Sequence, residues 1–310
     1  MKLISIVTPC FNEEENVQEV YKQVKEVFAK LPDYRYEHIF IDNASKDRTV
    51  AILKEIANSD RNVKIIVNAK NFGHIRSPYH AYLQARGDAV MFLAADLQDP
   101  PSMIADFIKK WEEGYKVVIG VKKKSRENLI MFGIRKLYYN LIDRIAEVEH
   151  IKNFTGFGLY DKSFVDVFRR LDDPYPYFRG LVAELGAERF EIGYEQPERK
   201  KGKTHNNFYT LYDMAMLGFV NHSKVPLRLA SFTGFVCAFL SFIVAMSYFI
   251  YKLIFWDEFQ VGIAPLVVGF FFFMSVQLVF IGMVGEYISA IYTQVKKKPL
   301  VIEKERINFD

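Results

Sequence analysis

The sequence predicts an α/β protein: a mainly parallel sheet covered by helices on both faces, continued by two membrane-spanning helices. Three observations carry this expectation. Strand and helix patterns alternate through the first third of the chain, the strands end in clusters of polar side chains, and the last third holds two long uncharged runs. In 310 residues the net charge is only +4, with the basic residues gathered in local clusters. That argues against nucleic acid as a partner and favours membrane phosphate groups. Cys10 and Cys237 have neither metal spacing nor a disulfide framework, so both read as free thiols.

Residues 3–8, 36–42, 63–68, 89–93 and 116–121 read as strands, and residues 14–28, 47–57, 77–85 and 102–113 as helices. The run at 3–7 is too short for a signal-peptide core, so the domain is expected to stay in the cytosol. After the first strand comes Pro9-Cys10-Phe11-Asn12-Glu13; after the second, Asp42-Asn43-Ala44-Ser45-Lys46-Asp47; after the third, Asn68 to His74 with the Asn71-Phe72-Gly73 turn. The fourth strand runs into Asp96-Leu97-Gln98-Asp99-Pro100-Pro101. Each cluster alone is ordinary loop or helix-capping chemistry. Four at successive C-terminal strand ends make a site, because ligands of open α/β sheets sit there. Hard oxygen groups such as Asp96 and Gln98 suit Mg²⁺ or Mn²⁺ bound to a nucleotide diphosphate. No Gly-x-Gly-x-x-Gly run follows the first strand, which argues against a dinucleotide-binding Rossmann site.

Beyond the fifth strand lie Lys122-Lys123-Lys124-Ser125-Arg126 and Arg135-Lys136, then the basic loop 199–204. Phe208, Leu211, Tyr212, Ala215 and Phe219 share one helical face, as an interfacial helix would. The uncharged runs 229–251 and 261–285 each exceed the roughly 20 residues that cross a bilayer. Arg228 precedes the first and Lys296-Lys297-Lys298 follows the second, whereas the connection carries Asp257 and Glu258. The positive-inside rule then sets both flanks in the cytoplasm. The expected organisation is a catalytic domain over 1–205, interface helices over 206–228, a two-helix hairpin over 229–290 and a cytoplasmic tail over 291–310.

Pro-Cys-Phe-Asn-Glu-Glu-Glu-Asn, Ile-Asp-Asn-Ala-Ser-Lys-Asp-Arg-Thr, Asn-Phe-Gly-His, Ala-Arg-Gly-Asp-Ala and Asp-Leu-Gln-Asp-Pro-Pro follow one another in this order. In them the chain resembles the family 2 inverting glycosyltransferases of the GT-A nucleotide-sugar fold. Within that family it is most similar to the polyisoprenyl-phosphate glycosyltransferases, bacterial bactoprenol glucosyltransferases and dolichol-phosphate mannose synthase. The resemblance implies a donor site of Pro9, Asn12, Glu13, Asp42, Asn43, Ser45, Asn71, Gly73, Asp96 and Gln98, with Asp96 and Gln98 holding Mg²⁺ or Mn²⁺ and the diphosphate. It implies an acceptor-phosphate site of Lys122, Arg126 and Arg135, with Asp96, Arg126 and Arg135 closest to the reaction; the basic loop with Arg199 and Lys203 is open to closing over the donor diphosphate, to holding the lipid phosphate as well, or to facing anionic lipid. Thr155 to Asp161 resembles the acceptor-side strand of the family, where Asp161 either orients a cation or caps the next helix. Two departures stand out. Asn43-Ala44 replaces the family's usual Asp-Gly, and Ala94 replaces the first Asp of Asp-Ala-Asp, which leaves the metal fewer carboxylates.

The activity so implied is transfer of a hexose, glucose from UDP-glucose, to undecaprenyl or another polyprenyl phosphate. The enzyme would be a homo-oligomer of the inner membrane with its catalytic domain in the cytoplasm. A processive polysaccharide synthase is the enzymatic alternative, against which stand the two spans and the lack of a Gln-x-x-Arg-Trp motif. A catalytically silent lipid- or nucleotide-binding anchor is the other, prompted by Asn43 and Ala94.

Overall fold

The computed structural model describes residues 1–123, 151, 153–171, 173, 176–197, 225–255, 263–296 and 298–309. The elements run β1 (Lys2–Cys10), α1 (Val17–Ala29), β2 (Tyr34–Asp42), α2 (Thr49–Ser59), β3 (Val63–Asn68), α3 (Gly73–Gln84), β4 (Ala89–Phe92), α4 (Ile104–Glu112) and β5 (Val117–Lys122). Then follow β6 (Phe154–Asp161), α5 (Lys162–Arg170), α6 (Phe178–Glu184), β7 (Arg189–Tyr194), α7 (Val225–Ile254), α8 (Ile263–Val295) and β8 (Glu303–Ile307). Every strand and helix expected before residue 122 is present. The main shift is α3, which starts a turn early at Gly73, where a left-handed φ of 84° and the Asn71 side chain receiving the Gly73 N–H set the first turn.

Eight strands form one sheet in the order β7-β5-β6-β4-β1-β2-β3-β8. β1 pairs in parallel with β2 and β4, and β2 with β3, as short strand–helix–strand crossovers require. β6 is inserted antiparallel between β4 and β5. The central strands are buried on both faces, with Ile4, Ile6, Val7, Ile39, Phe40 and Ile41 all fully covered. On one face Tyr79 and Tyr82 of α3 pack with Phe164 and Phe168 of α5. On the other, Val20 and Val24 of α1 meet Phe107 and Trp111 of α4, and α2 closes the sheet's far end through Leu53 and Ile56.

The Ala-Arg-Gly-Asp segment works at the edge opposite the polar clusters. Asp88 receives the Leu3 N–H at 2.8 Å and Gly87 donates to Ser5 Oγ at 2.8 Å. Ser5 Oγ in turn donates to Glu37 at 2.5 Å, a carboxylate that also takes Lys64. A Cβ on Gly87 would come within 2.6 Å of Ser5 Oγ, so this position needs glycine for close approach.

α7 and α8 contain stretches long and apolar enough to cross a membrane, Ala230–Tyr251 and Gly269–Val295, and present large apolar side chains such as Phe235, Phe249 and Phe271 outward. After α8 the chain returns to the sheet. β8 pairs antiparallel with β3 and adds a strand to the far edge that the sequence pattern did not contain.

Candidate active site

Because β1, β2, β3 and β4 are parallel, their following loops share one edge; β5 and β7 end at that edge too, and antiparallel β6 begins there. The loops after β1 and β2 are laced together. Ser45 Oγ receives the Asn12 N–H at 2.8 Å, Asn12 Oδ1 receives the Lys46 N–H at 2.8 Å, and Thr49 Oγ1 receives the Glu13 N–H at 2.9 Å. Asn12 takes a φ of 55°, which asparagine tolerates better than most residues.

Asp42 ends β2 fully buried. Its Oδ2 accepts from the Ser45 N–H at 2.9 Å, while its Oδ1 is buried without a partner among the described residues. Burial pushes this carboxyl above its ordinary range, and the bonds from Ser45 draw it only partly back. An orphaned buried acceptor is costly, which makes Asp42 suited to receive a ligand N–H, as a nucleobase supplies.

Asn43 ties β2 to the loop after β3. Its amide nitrogen donates to Asn71 Oδ1 at 2.9 Å and to the Gly73 carbonyl at 3.1 Å, and its Oδ1 receives the Phe72 N–H at 2.8 Å and Asn68 Nδ2 at 3.2 Å. A carboxylate could not make the two donations, so the departure from Asp here has a local cause. The next residue, Ala44, sits at φ 64°, where the family pattern places glycine.

After β4, Asp96 is partly exposed and accepts the Gln98 N–H at 3.1 Å through Oδ1, with Leu97 between them at φ 58°. Its Oδ2 makes no hydrogen bond among the described residues. Asp99 differs. It is 4% exposed, accepts from Tyr194 Oη at 2.8 Å, and is pushed up to about 6, chiefly by burial, against the pull of that bond. Lys122, at the end of β5, also bears on Asp99 electrostatically. Of the two carboxylates, Asp96 therefore faces the edge and Asp99 braces it; no local sequence signal marked the Asp99–Tyr194 pairing.

No group of three metal-binding carboxylates, histidines or cysteines occurs among the described residues. A free Asp96 oxygen beside the Gln98 amide still fits Mg²⁺ or Mn²⁺, which take one or two carboxylates and fill the remaining positions with substrate phosphates and water. Pro9, Asn12, Glu13, Asp42, Asn43, Ser45, Asn71, Gly73, Asp96 and Gln98 thus meet along one edge, and Lys122 lies at the same edge. Arg126, Arg135, Arg199 and Lys203 lie outside the described residues, as does the expected interface helix before residue 225.

Of the two roles open to Asp161, the structure gives the cap. Its Oδ1 receives the Ser163 N–H at 2.8 Å at the start of α5, and its Oδ2 receives Trp111 Nε1 at 2.8 Å. Because β6 is antiparallel, Asp161 pairs with Ala89 at the beginning of β4, on the edge away from Asp96. It cannot orient a cation there.

One feature was not anticipated: a cleft of about 220 Å³ opening between α3, the start of β6 and α6, lined by His74, Tyr79, Tyr82, Phe92, Phe178 and Arg179 among others.

The model of the family "Glycosyl transferase family 2" matches residues 5–167. The uncharacterized glycosyltransferase YkcC of Bacillus subtilis (strain 168) is 34% identical over 299 residues, spanning 96% of this chain and 92% of that protein. The SfII prophage-derived bactoprenol glucosyl transferase of Shigella flexneri is 32% identical over 303 residues, with 97% of each chain covered. Among solved structures, mannosyl-3-phosphoglycerate synthase from Rubrobacter xylanophilus is similar at 16% identity, over 69% of this chain and 71% of that one, with a TM-score of 0.47.

Proposed function

The chain belongs to glycosyl transferase family 2 and is a glycosyltransferase, and from that premise we propose that it moves a hexose, glucose from UDP-glucose, onto a polyprenyl phosphate with inversion. The observation that carries this reading is the ordering along one sheet edge. Asp42 Oδ1, without a partner among the described residues, stands at β2, and Asp96 Oδ2, likewise without one among them, follows β4, two strands away, roughly 10 Å at the usual strand spacing. That separation suits a base at one end and a diphosphate at the other. The lipid acceptor is supported by the bactoprenol glucosyl transferase among the relatives and by the two long apolar helices.

The acceptor needs no general base. A phosphate monoester, with a second pKa of about 6, is already largely dianionic at neutral pH. One of its oxygens attacks the anomeric carbon as the bond from that carbon to the diphosphate oxygen breaks, and the diphosphate leaves with the electron pair. Asp96 and Gln98 would hold Mg²⁺ or Mn²⁺, which when bound supplies charge to offset what develops on the leaving diphosphate. Asp42 would accept from the base, and the crossed loops of Asn12, Glu13 and Ser45 would fix its pocket. Lys122, with Arg126, Arg135, Arg199 and Lys203, would offset the repulsion between two anionic substrates and hold them in line. Both helix flanks and the catalytic domain are assigned to the cytoplasmic face of the cell membrane, in agreement with β8 rejoining the catalytic sheet after the second span.

The test incubates the purified full chain with polyprenyl phosphate and a panel of labelled nucleotide sugars, with and without chelator. One donor should give a lipid-extractable product carrying a single sugar, lost with chelator and in Asp96→Ala. A growing polymer, or no lipid-linked product with any donor, would overturn the reading.

A further inference from the structure

We infer that the tail after α8 is a working part of the donor site: it holds the loop after β3, residues 69–73, in the form that receives the nucleotide, with Arg76 as the positioning residue. This rests on the proposed donor edge and adds to it a segment 223 residues further along the chain.

β3 stands between β2 and β8, so the loop that follows it is held from two sides. Toward β2, Asn43 donates to Asn71 Oδ1 and the Gly73 carbonyl and receives the Phe72 N–H. Toward the tail, β8 is antiparallel and begins where β3 ends, with Glu303 in register with Asn68. There the Ala69 N–H donates to the Ile302 carbonyl at 2.8 Å, and the partly buried Arg76 donates to the Pro299 carbonyl. The Arg76 guanidinium also lies over the Phe72 ring, 5.6 Å from its centroid, and Lys70 Nζ lies 5.2 Å from the same ring. Phe72 thus meets Arg76 through its ring and Asn43 through its N–H, which links the tail to the β2 loop beside Asp42.

The same tail grips α3 beyond its first turn. His80 Nε2 and Glu303 Oε1 lie 2.6 Å apart, and Arg306 donates to Gln84 Oε1 at 3.0 Å. Arg76, His80 and Gln84 follow one another at intervals of four on one helical face, so the tail fixes where α3 lies as well as the loop ahead of it. A loop held on the β2 side alone would have to be ordered when the nucleotide arrives, and binding would weaken by the cost of that ordering.

Pro299 follows the end of α8 at Val295 almost directly, and α8 carries one of the two stretches long and apolar enough to cross a membrane. The hold on the donor loop is therefore tied to the segment that anchors the chain. Coupling between two sites is reciprocal. A nucleotide that prefers the held loop must in turn tighten the tail.

The test uses the full chain in detergent, with UDP titrated by calorimetry and amide exchange followed by mass spectrometry over 69–73 and over β8. Arg76→Met should weaken UDP binding about 3- to 10-fold, the range one lost hydrogen bond covers, and speed exchange over 69–73. Arg76→Lys, which keeps a donor for the Pro299 carbonyl, should recover most of the affinity. Asn308→Ala loosens the far end of the tail, where Asn308 donates to the Ala57 and Val63 carbonyls, and should leave UDP affinity near that of the parent. UDP should slow exchange over β8 in the parent but not in Arg76→Met, a response that a merely structural arginine would not give. Unchanged UDP affinity in Arg76→Met, equal weakening in Asn308→Ala, or β8 exchange that ignores UDP in the parent would each overturn the assignment. If the parent binds no UDP, the donor reading fails by itself, and exchange over 69–73 decides the tail's role: no faster in Arg76→Met than in the parent, and the tail does not hold the loop.

Discussion

Tyr194, the last residue of β7, donates a hydrogen bond of 2.8 Å to Asp99 beyond the end of β4, tying the outermost strand of the sheet to the loop that carries Asp96. The two strands are separated by β5 and β6, so the bond spans the width over which donor and acceptor sites must be kept in register.

The buried Asp99 makes stability depend on pH. Its carboxyl titrates at about 6 in the fold against an ordinary 3.8, chiefly through burial, so the native state holds its proton more tightly than the unfolded chain. Stability from this group therefore falls as pH rises from about 4 to about 6, and above that the cost, roughly 3 kcal/mol, is complete. Denaturant unfolding of the full chain at pH 5 and pH 7.5 should show a smaller pH dependence in Asp99→Asn than in the parent. Parallel curves for the two proteins would refute it.

Asn43→Asp, which restores the common family residue, should destabilise this chain by about 1–3 kcal/mol. The new carboxylate would lose the donations to Asn71 Oδ1 and the Gly73 carbonyl and set like charges against those oxygens. Thermal melting measures it, and an unchanged midpoint would show that the loop after β3 rearranges freely.

Ala44→Gly should act in the opposite direction. Ala44 holds φ 64°, a left-handed conformation that costs an L-residue roughly 1–2 kcal/mol, offset in part by the greater entropy glycine loses on folding. A small rise in melting temperature is expected, whereas a fall would mean that the Cβ makes a contact worth more than the strain.

How far the sequence discloses this design depends on range. The strands up to β5 are legible because Ile4, Ile6 and Val7, or Ile39 to Ile41, form short β-branched and apolar runs closed by polar turns. Asp42 and Asp96 are legible because the residues fall directly after such runs. Asp161 is ambiguous in sequence, since a carboxylate ahead of a helix has the same appearance whichever way its strand runs; only the antiparallel insertion of β6 decides. The Asp99–Tyr194 bond and β8 depend on partners 95 residues and more away. No local periodicity encodes them: in β8 Glu303, Lys304, Glu305 and Arg306 read as a solvated charge run.

Asp42→Asn should lower the affinity for the nucleoside diphosphate about tenfold, since it replaces a charged acceptor by a neutral one at a position whose Oδ1 has no partner among the described residues. The Ser45 N–H would still find an oxygen, so the loop should stay folded. Calorimetric titration with UDP, against the same titration in Asp96→Asn, separates base from diphosphate. Unaltered UDP binding in Asp42→Asn would move the base elsewhere.

Ending the chain after Lys298 should cost more than the tail's charges account for. Those charges form visible pairs, Lys54 with Glu305 and His80 with Glu303, each at 2.6 Å, but the two lysine–glutamate partners are about 40% exposed and such pairs contribute roughly 0–1 kcal/mol. The larger loss comes from the ladder to β3 and from Asn308, whose amide donates to the carbonyls of Ala57 and Val63. Without β8, the edge of Ile65, Ile66 and Val67 is left as an open apolar template for another strand. At roughly 1 kcal/mol for each lost bond, truncation should lower stability by on the order of 3 kcal/mol or more and promote association in light scattering. Glu303→Gln and Glu305→Gln should each change it by less than about 1 kcal/mol. If the paired glutamine variants matched the truncation, charge and not strand pairing would hold the tail to the sheet.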